Sequence, residues 1–366
     1  MKKISLILFL CIIAFSILRA EDKSVIKLIP VYEKTFQDTI VDVVFDTATV
    51  SISEAKAMGW KEEAFNEEER AKGEVTISYP KVVLVGKKGF PVKQKIKFLD
   101  RNGKVKKVVS GKGASMIIFS TNGKYILKTL WYDTEADKGG GALLFNNNGD
   151  ILWEKSKGDF YAVTDNGYTA TGFVSPTGAS YPFIIYDPLG KKIKEVELPD
   201  WGIFDAGICS NGEYFIITYG GNAGFDSTGV MIIKENGEIW SHYHIKGGNI
   251  YSWNVFPFQD QQILIVVGEK IIFVNKQGKD RWVIETAKWL EGNPPQGDGL
   301  QSNVKLRVLK NKQYFYTSGH LLNIDLSKGK IKSSYYIGNN AKMSYDKIFI
   351  LNQNKIKGFN PKDVLK

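Results

Sequence analysis

One hairpin pattern recurs along this chain and limits what it can fold into. In its clearest copy, Ala142 to Glu154 (ALLFNNNGDILWE), an apolar run enters an Asn-rich turn at Gly149 and a second strand leaves it, ending on Trp153. Related hairpins read IKFLDRNGKV from Ile96, FIIYDPLGKKI from Phe183, MIIKENGEIW from Met231, IIFVNKQGKDRW from Ile271 and LLNIDLSKGKI from Leu321. Their turn glycines, Gly103, Gly149, Gly190, Gly237, Gly278 and Gly329, stand 41–51 residues apart. A hairpin cannot bury its own apolar face, so a period of this length means stacked units that share their cores.

A second hairpin precedes each of these, with turns in FSTNGKYIL (Gly123), VTDNGYTAT (Gly167) and ICSNGEYFI (Gly212), then in PFQDQQILI, LKNKQYFYT and MSYDKIFIL. Asn-Gly between alternating apolar residues predicts a tight hairpin whose two turn positions both take φ > 0. Each unit is then four antiparallel strands, a-b followed by c-d. Four-stranded units of this length are the blades of an all-β β-propeller. Seven blades are expected over 73–110, 111–156, 157–197, 198–244, 245–287, 299–333 and 334–366. Six, with a terminal segment outside the ring, is the alternative. The ending Asp/Asn-x-x-Gly-x-x-x-Trp, met at Asn146, Gly149 and Trp153 and at Asn275, Gly278 and Trp282, resembles the repeat of the PQQ-like (quinoprotein-like) and WD40-like propeller superfamily. Asp187 and Gly190 match it without the Trp. The resemblance implies the fold. The full Ala-x-Asp-x-x-Thr-Gly-x-x-x-Trp signature of quinone-binding members is absent from every repeat, and no cofactor is expected.

The chain divides into residues 1–20, 21–72 and 73–366. Met1 to Ala20 places two lysines before a short apolar run and ends on a small residue, the pattern of a cleaved secretory signal peptide. A periplasmic or secreted protein is expected, with no transmembrane segment after cleavage. Cys11 lies inside that apolar run, so Cys209 is left alone in the mature chain and no internal disulfide can form. Residues 21–72 read as strands followed by a helical stretch over 51–73, with Ser51 and Glu54 spaced as a capping box and Glu67–Glu69 as a solvated face. This segment either closes the ring or packs on its side. The formal net charge of +10 includes Lys2, Lys3 and Arg19 of the leader. The remaining lysines are scattered through turns, where they discourage edge pairing, and no nucleic-acid partner is expected. The expected mature form is a monomer.

Function is sought in the loops, because long loops hold no blade together and binding groups collect on loops carried by a rigid scaffold. The a-b and c-d turns share one end of the ring, and nearly all are tight. The b-c and blade-to-blade connections share the other. Blades five to seven use short b-c turns (Gly268-Glu269, Ser318-Gly319, Asn352-Gln353). Blades two to four carry WYDTEADKGGG, FVSPTGASY and YGGNAGFDSTG. The connections FDAG, GGNIYSW and EGNPPQGDG lie on the same end. Aromatic side chains give rigid contact area, and Asp and Asn give directional hydrogen bonds. The expected ligand-binding residues are Trp131, Tyr132, Asp133, Tyr181, Asp205, Tyr219, Asn222, Phe225, Asp226, Tyr251 and Trp253, and the expected partner is a protein or a glycan. The alternative is a carbohydrate-active hydrolase or lyase using carboxylates on that end. No metal site is expected: His242 and His244 alternate along one strand with no third ligand placed by the sequence. No G-x-S-x-G, P-loop or paired C-x-x-C occurs.

Overall fold

The computed structural model describes residues 29–86, 94–110, 115–130, 141–156, 158, 160–171, 183–196, 205–220, 227–246, 253–257, 262–267, 270–275, 279–285, 305–309, 312–317, 320–338, 340–344 and 347–364. Strand β1 (Tyr32–Thr35) comes first. The first sheet follows, with β2 (Ile40–Ser51), β3 (Glu74–Val85), β4 (Lys95–Leu99) and β5 (Val105–Ser110). The second holds β6 (Ser115–Phe119), β7 (Tyr125–Leu130), β8 (Ala142–Asn146) and β9 (Ile151–Lys155). The third holds β10 (Phe160–Val163), β11 (Thr169–Thr171), β12 (Phe183–Tyr186) and β13 (Lys192–Val196). The fourth holds β14 (Asp205–Asn211), β15 (Tyr214–Gly220), β16 (Ser227–Lys234) and β17 (Ile239–Lys246). The fifth holds β18 (Trp253–Pro257), β19 (Ile263–Val267), β20 (Lys270–Val274) and β21 (Asp280–Glu285). The sixth holds β22 (Lys305–Leu309), β23 (Lys312–Thr317), β24 (His320–Asp325) and β25 (Lys330–Tyr336). The seventh takes β26 (Ala341–Ser344), β27 (Lys347–Asn352) and β28 (Lys355–Phe359) and is completed by β1 on the far side of β28.

Every one of these sheets is four-stranded and antiparallel, the first six being meanders, and buried clusters join each to the next. Val82, Ile96 and Phe98 of the first sheet meet Ile126 and Phe145 of the second. Leu127, Leu144 and Trp153 of the second meet Phe160 and Val163 of the third. Similar clusters run from the third sheet to the seventh. The last joins Phe349, Leu351 and Ile356 of the seventh sheet to Val43, Val83 and Leu99 of the first. The sheets therefore close into a ring, a β-propeller. The outer strands β5, β9 and β13 are mostly exposed, and Val and Ile fill inner strands such as β19 and β20, where β-branched side chains pack well on a pleated surface.

The turns explain the repeat motif. Asn146 accepts at its carbonyl from Gly149 N (3.0 Å), donates its own N–H to the Asp150 carbonyl (3.1 Å), and accepts at Oδ1 from the N–H groups of Asn148 and Asp150. Asp187 does the same around Gly190. Just beyond these turns the pairing shifts register, between Leu144 and Phe145 and between Ile185 and Tyr186. This is the type I turn with a left-handed glycine and bulge. The a-b turns correct the Asn-Gly expectation. Among the described residues Gln353 (φ 49°) is the only non-glycine with positive φ, so Asn122, Asn166 and Asn211 do not adopt it. At Gly123 and Gly167 the glycine alone turns over, closing a longer loop onto Ser120 and Thr164. Gly212 and Glu213 form a two-residue loop with the glycine first.

The segment before residue 73 divides between two sheets. β1 pairs with β28, from Tyr32 opposite Gly358 to Thr35 opposite Lys355, so N- and C-terminal strands share the seventh sheet. β2 is the first strand of the first sheet, pairing with β3 across eleven residue pairs. The helical stretch is therefore the a-b connection of that sheet. Helix α1 (Ile52–Ala57) starts at Ser51, whose Oγ accepts from Glu54 N (3.2 Å). Helix α2 (Glu67–Lys72) carries a reciprocal capping box between Asn66 and Glu69, and its acidic first turn meets the positive end of the helix. This excursion also corrects the expectation that the turn end of the ring is plain.

Where the c-d turn glycine is described, it lies against an outer or next-to-outer strand of the sheet before it. A Cβ on Gly190 would stand 2.9 Å from the Trp153 ring, and one on Gly149 would stand 2.9 Å from the Phe98 ring. Gly329 lies against Trp282, whose Nε1 donates to the Leu326 carbonyl (2.8 Å). Gly190→Ala combines a positive φ (79°) with that clash and is expected to cost about 1–3 kcal/mol. Gly212→Ala, with φ 61° and open space around it, is expected to cost about 1 kcal/mol, from backbone strain alone. Urea midpoints of the two variants measure the difference, and equal losses would remove the inter-sheet contact from the account.

Candidate functional site

Strand direction assigns each connection to one end of the ring. At the turn end, the a-b turns of the second, third and fourth sheets are laced together. Asn122 N donates to Asp165 Oδ1 (2.7 Å), and Asn122 Nδ2 donates to the Asp165 carbonyl (2.9 Å). Asp165 N donates to the Gly212 carbonyl (2.9 Å), and Gly212 N donates to Thr121 Oγ1 (3.2 Å). Asn211 Nδ2 carries the lacing to the fifth sheet through the Val255 carbonyl (2.9 Å). Ser210 Oγ donates to the Val163 carbonyl. The second, third and fourth of these sheets also bear long connections at their opposite ends.

At the other end the b-c connections differ in length. They span 86–94, 131–141, 172–182 and 221–226 in the first four sheets and only two residues in each of the last three. Long connections thus begin with the first sheet, at 86–94, rather than with the second. Of the expected binding residues, Trp131, Tyr132, Asp133, Tyr181, Asn222, Phe225, Asp226 and Tyr251 lie outside the described residues. Asp205, Tyr219 and Trp253 are strand positions: Asp205 opens β14, Tyr219 is the penultimate residue of β15 and Trp253 opens β18. The structure thereby corrects two loops. Asp205–Gly207 belongs to β14 rather than to a connection, and the fourth b-c loop is shorter than expected because Tyr219 and Gly220 pair with Gly229 and Thr228.

Register brings Asp205, Tyr219 and Trp253 to the same end of two adjoining sheets, and β18 approaches both β14 and β15. Tyr219 stands in a cross-strand row between Ala206 and Gly229.

Two titratable side chains near this end were not singled out by the sequence. Lys128, two residues before the end of β7, is 5% exposed, and its Nζ donates to the Ser110 carbonyl (3.3 Å). Burial lowers its pKa. The available signal was a lysine inside the apolar run YILKTL. His320 opens β24 and is 8% exposed; its Nδ1 lies 3.2 Å from Ser334 Oγ and its ring is 5.0 Å from that of Tyr336. Burial lowers its pKa as well, which favours the neutral ring.

No family model matches the chain, and no curated protein matches its sequence. Solved structures do. The C-terminal WD40 domain of Sif2 is 10% identical over 78% of this chain and 79% of that one, with a TM-score of 0.47. Apo AztD from Citrobacter koseri is 13% identical over 76% of this chain and 96% of that one, at 0.41. A protein of unknown function from Bacteroides caccae is 10% identical over 56% and 72%, at 0.36. Among the described residues no helix is long and apolar enough to cross a membrane.

The turn end carries a perturbed acid. Burial raises the Glu235 carboxyl pKa, the nearby Glu213 and Asp165 charges add to the rise, and hydrogen bonds from Thr164 and Asn166 oppose it. Ionised Glu235 is therefore disfavoured in the folded state. That penalty is absent below the ordinary value of 4.5 and grows as pH rises through the higher folded value. Glu235→Gln keeps an acceptor for Asn166 Nδ2 (3.0 Å to Oε2 in the native chain) and removes the charge. The variant is expected to melt above the wild type at pH 7 and together with it at pH 4, in paired thermal scans.

Proposed function

We propose that this protein is an exported binding or scaffolding module that recognises a protein or glycan through the loop-bearing end of its second to fourth sheets. The observation that carries the reading is the asymmetry of the ring. One end is tied by turn-to-turn hydrogen bonds, while the other bears extended b-c connections on the first four sheets only. Rigid support beneath variable loops is how scaffolds present recognition groups. Tyr219, flanked by Ala206 and Gly229, and Trp253 supply aromatic contact area, with Asp205 as a nearby hydrogen-bond acceptor. Trp131, Tyr132, Asp133, Tyr181, Asn222, Phe225, Asp226 and Tyr251 complete the proposed surface. Met1–Ala20 directs export and is removed.

The test uses residues 21–366 on a glycan array and against exported proteins by biolayer interferometry. Replacing Trp131, Tyr219 and Trp253 together by alanine is expected to weaken any captured interaction at least about tenfold, as loss of aromatic anchors does. Asn147→Ala with Asn148→Ala, on the turn end, is expected to leave it unchanged. Binding that survives the triple replacement in a folded protein would exclude this surface.

A further inference from the structure

The a-b connection of the first sheet, residues 52–73, reaches well beyond its own hairpin. Its base is closed by Ile52 N donating to the Gly73 carbonyl (3.1 Å). Its middle crosses to the seam where the two ends of the chain meet. Trp60 forms an isolated bridge with Tyr32 of β1, and their ring centroids are 4.9 Å apart. The Trp60 ring also stands edge-on to Phe349 of β27, at 6.1 Å. Lys61 N donates to the Val31 carbonyl (2.8 Å), and Val31 N donates to the Gly358 carbonyl of β28 (2.8 Å). Asn360, directly after β28, donates from Nδ2 to the Glu63 carbonyl (3.1 Å). Glu54 of α1 pairs with Arg101 in the c-d turn of the first sheet (3.0 Å). Ala55, Trp60, Ala64 and Phe65 are all buried in the core that joins the seventh sheet to the first.

Among the seven sheets, only the seventh combines strands from opposite ends of the chain. Its outer strand β1 is four residues long. An edge strand of that length held by one partner is only weakly secured by its own pairing. We propose that residues 52–73 act as a clasp that locks β1 into the seventh sheet, so that this connection governs opening of the ring at its seam. Trp60 is the wedge, because it touches β1 and β27 at once. The Lys61–Val31 and Asn360–Glu63 hydrogen bonds fix the clasp to both chain ends. The role is conformational and does not rest on the binding surface proposed above.

Hydrogen exchange followed by mass spectrometry on the full mature chain tests it. In Trp60→Ala, peptides covering β1 and β28 are expected to exchange at least about tenfold faster, while those of the third to fifth sheets stay at wild-type rates, the signature of local opening. Asn360→Ala removes a single hydrogen bond and is expected to give a smaller acceleration confined to the same peptides. That variant keeps the proposal open to refutation if Trp60→Ala fails to fold. Acceleration spread evenly over all sheets, or none at β1 and β28 in the folded variants, would overturn the clasp.

Discussion

Close contacts between the described c-d turns and the outer strands of the preceding sheet set the spacing of this ring. Gly149 lies on Phe98 and Lys107, Gly190 on Trp153, Gly237 on Lys194 and Gly329 on Trp282. Two inner hairpins press on inner strands of the preceding sheet in a similar way, Gly123 against Val44 and Gly167 against Tyr125, whereas Gly212 has open space around it. A Cβ at any of these turns other than Gly212 would stand under 3 Å from a side chain of the neighbouring sheet, which would have to shift, and packed interiors do not yield cheaply. The aromatic residue four positions after the glycine belongs to the same device: Trp153 supports the next turn, Gly190, and Trp282 supports Gly329. Where lysine replaces it, as at Lys107, the aliphatic stem covers the glycine and the ammonium reaches the Gly149 carbonyl.

Ring closure follows from the same need for partners. Each sheet buries one face against each neighbour, so a linear stack would leave two uncovered ends. Here Phe349 is shared by the seventh and first sheets: it stacks on Phe45 (4.1 Å) and meets Tyr32 edge-on (5.9 Å). Gly358, between Tyr32 and Phe349, lets the strands approach; a Cβ there would lie 2.9 Å from the Phe349 ring. The Gln353 turn is bonded to the start of β2 by Ile40 N, which donates to its carbonyl (2.7 Å). That contact holds the single positive-φ side-chain-bearing residue among those described in place.

The two ends of the ring divide labour. Hydrogen bonds between turns of different sheets restrain the turn end, and their donors and acceptors are Asn, Asp, Thr and backbone groups that the turns present anyway. At the loop-bearing end the connections lengthen in the first four sheets without disturbing strand pairing. Such a surface can change its contacts while the scaffold stays fixed.

Local physics made much of the fold legible. The spacing of Asn146, Gly149 and Trp153 encodes a four-residue turn and its bulge, which need only neighbouring residues to form, so the c-d hairpins could be read one by one. Repetition of that unit implied shared cores. The identity of the strand that completes the seventh sheet could not be read this way. Asn354 Nδ2 meets the Phe36 carbonyl across 318 residues of chain, and β1 has no pattern of its own to announce its partner. The destination of residues 52–73 was hidden for the same reason: caps at Ser51 and Asn66 specify helices, but Trp60 finds Tyr32 and Phe349 only once the ring has closed. In the candidate site, sequence supplied the aromatic and acidic residue types at 131–133, 219–226 and 251–253. Tertiary register alone decided that Tyr219 stands between Ala206 and Gly229, and that Lys128 is buried near the same end, because cross-strand neighbours are set by pairing between segments distant in the chain.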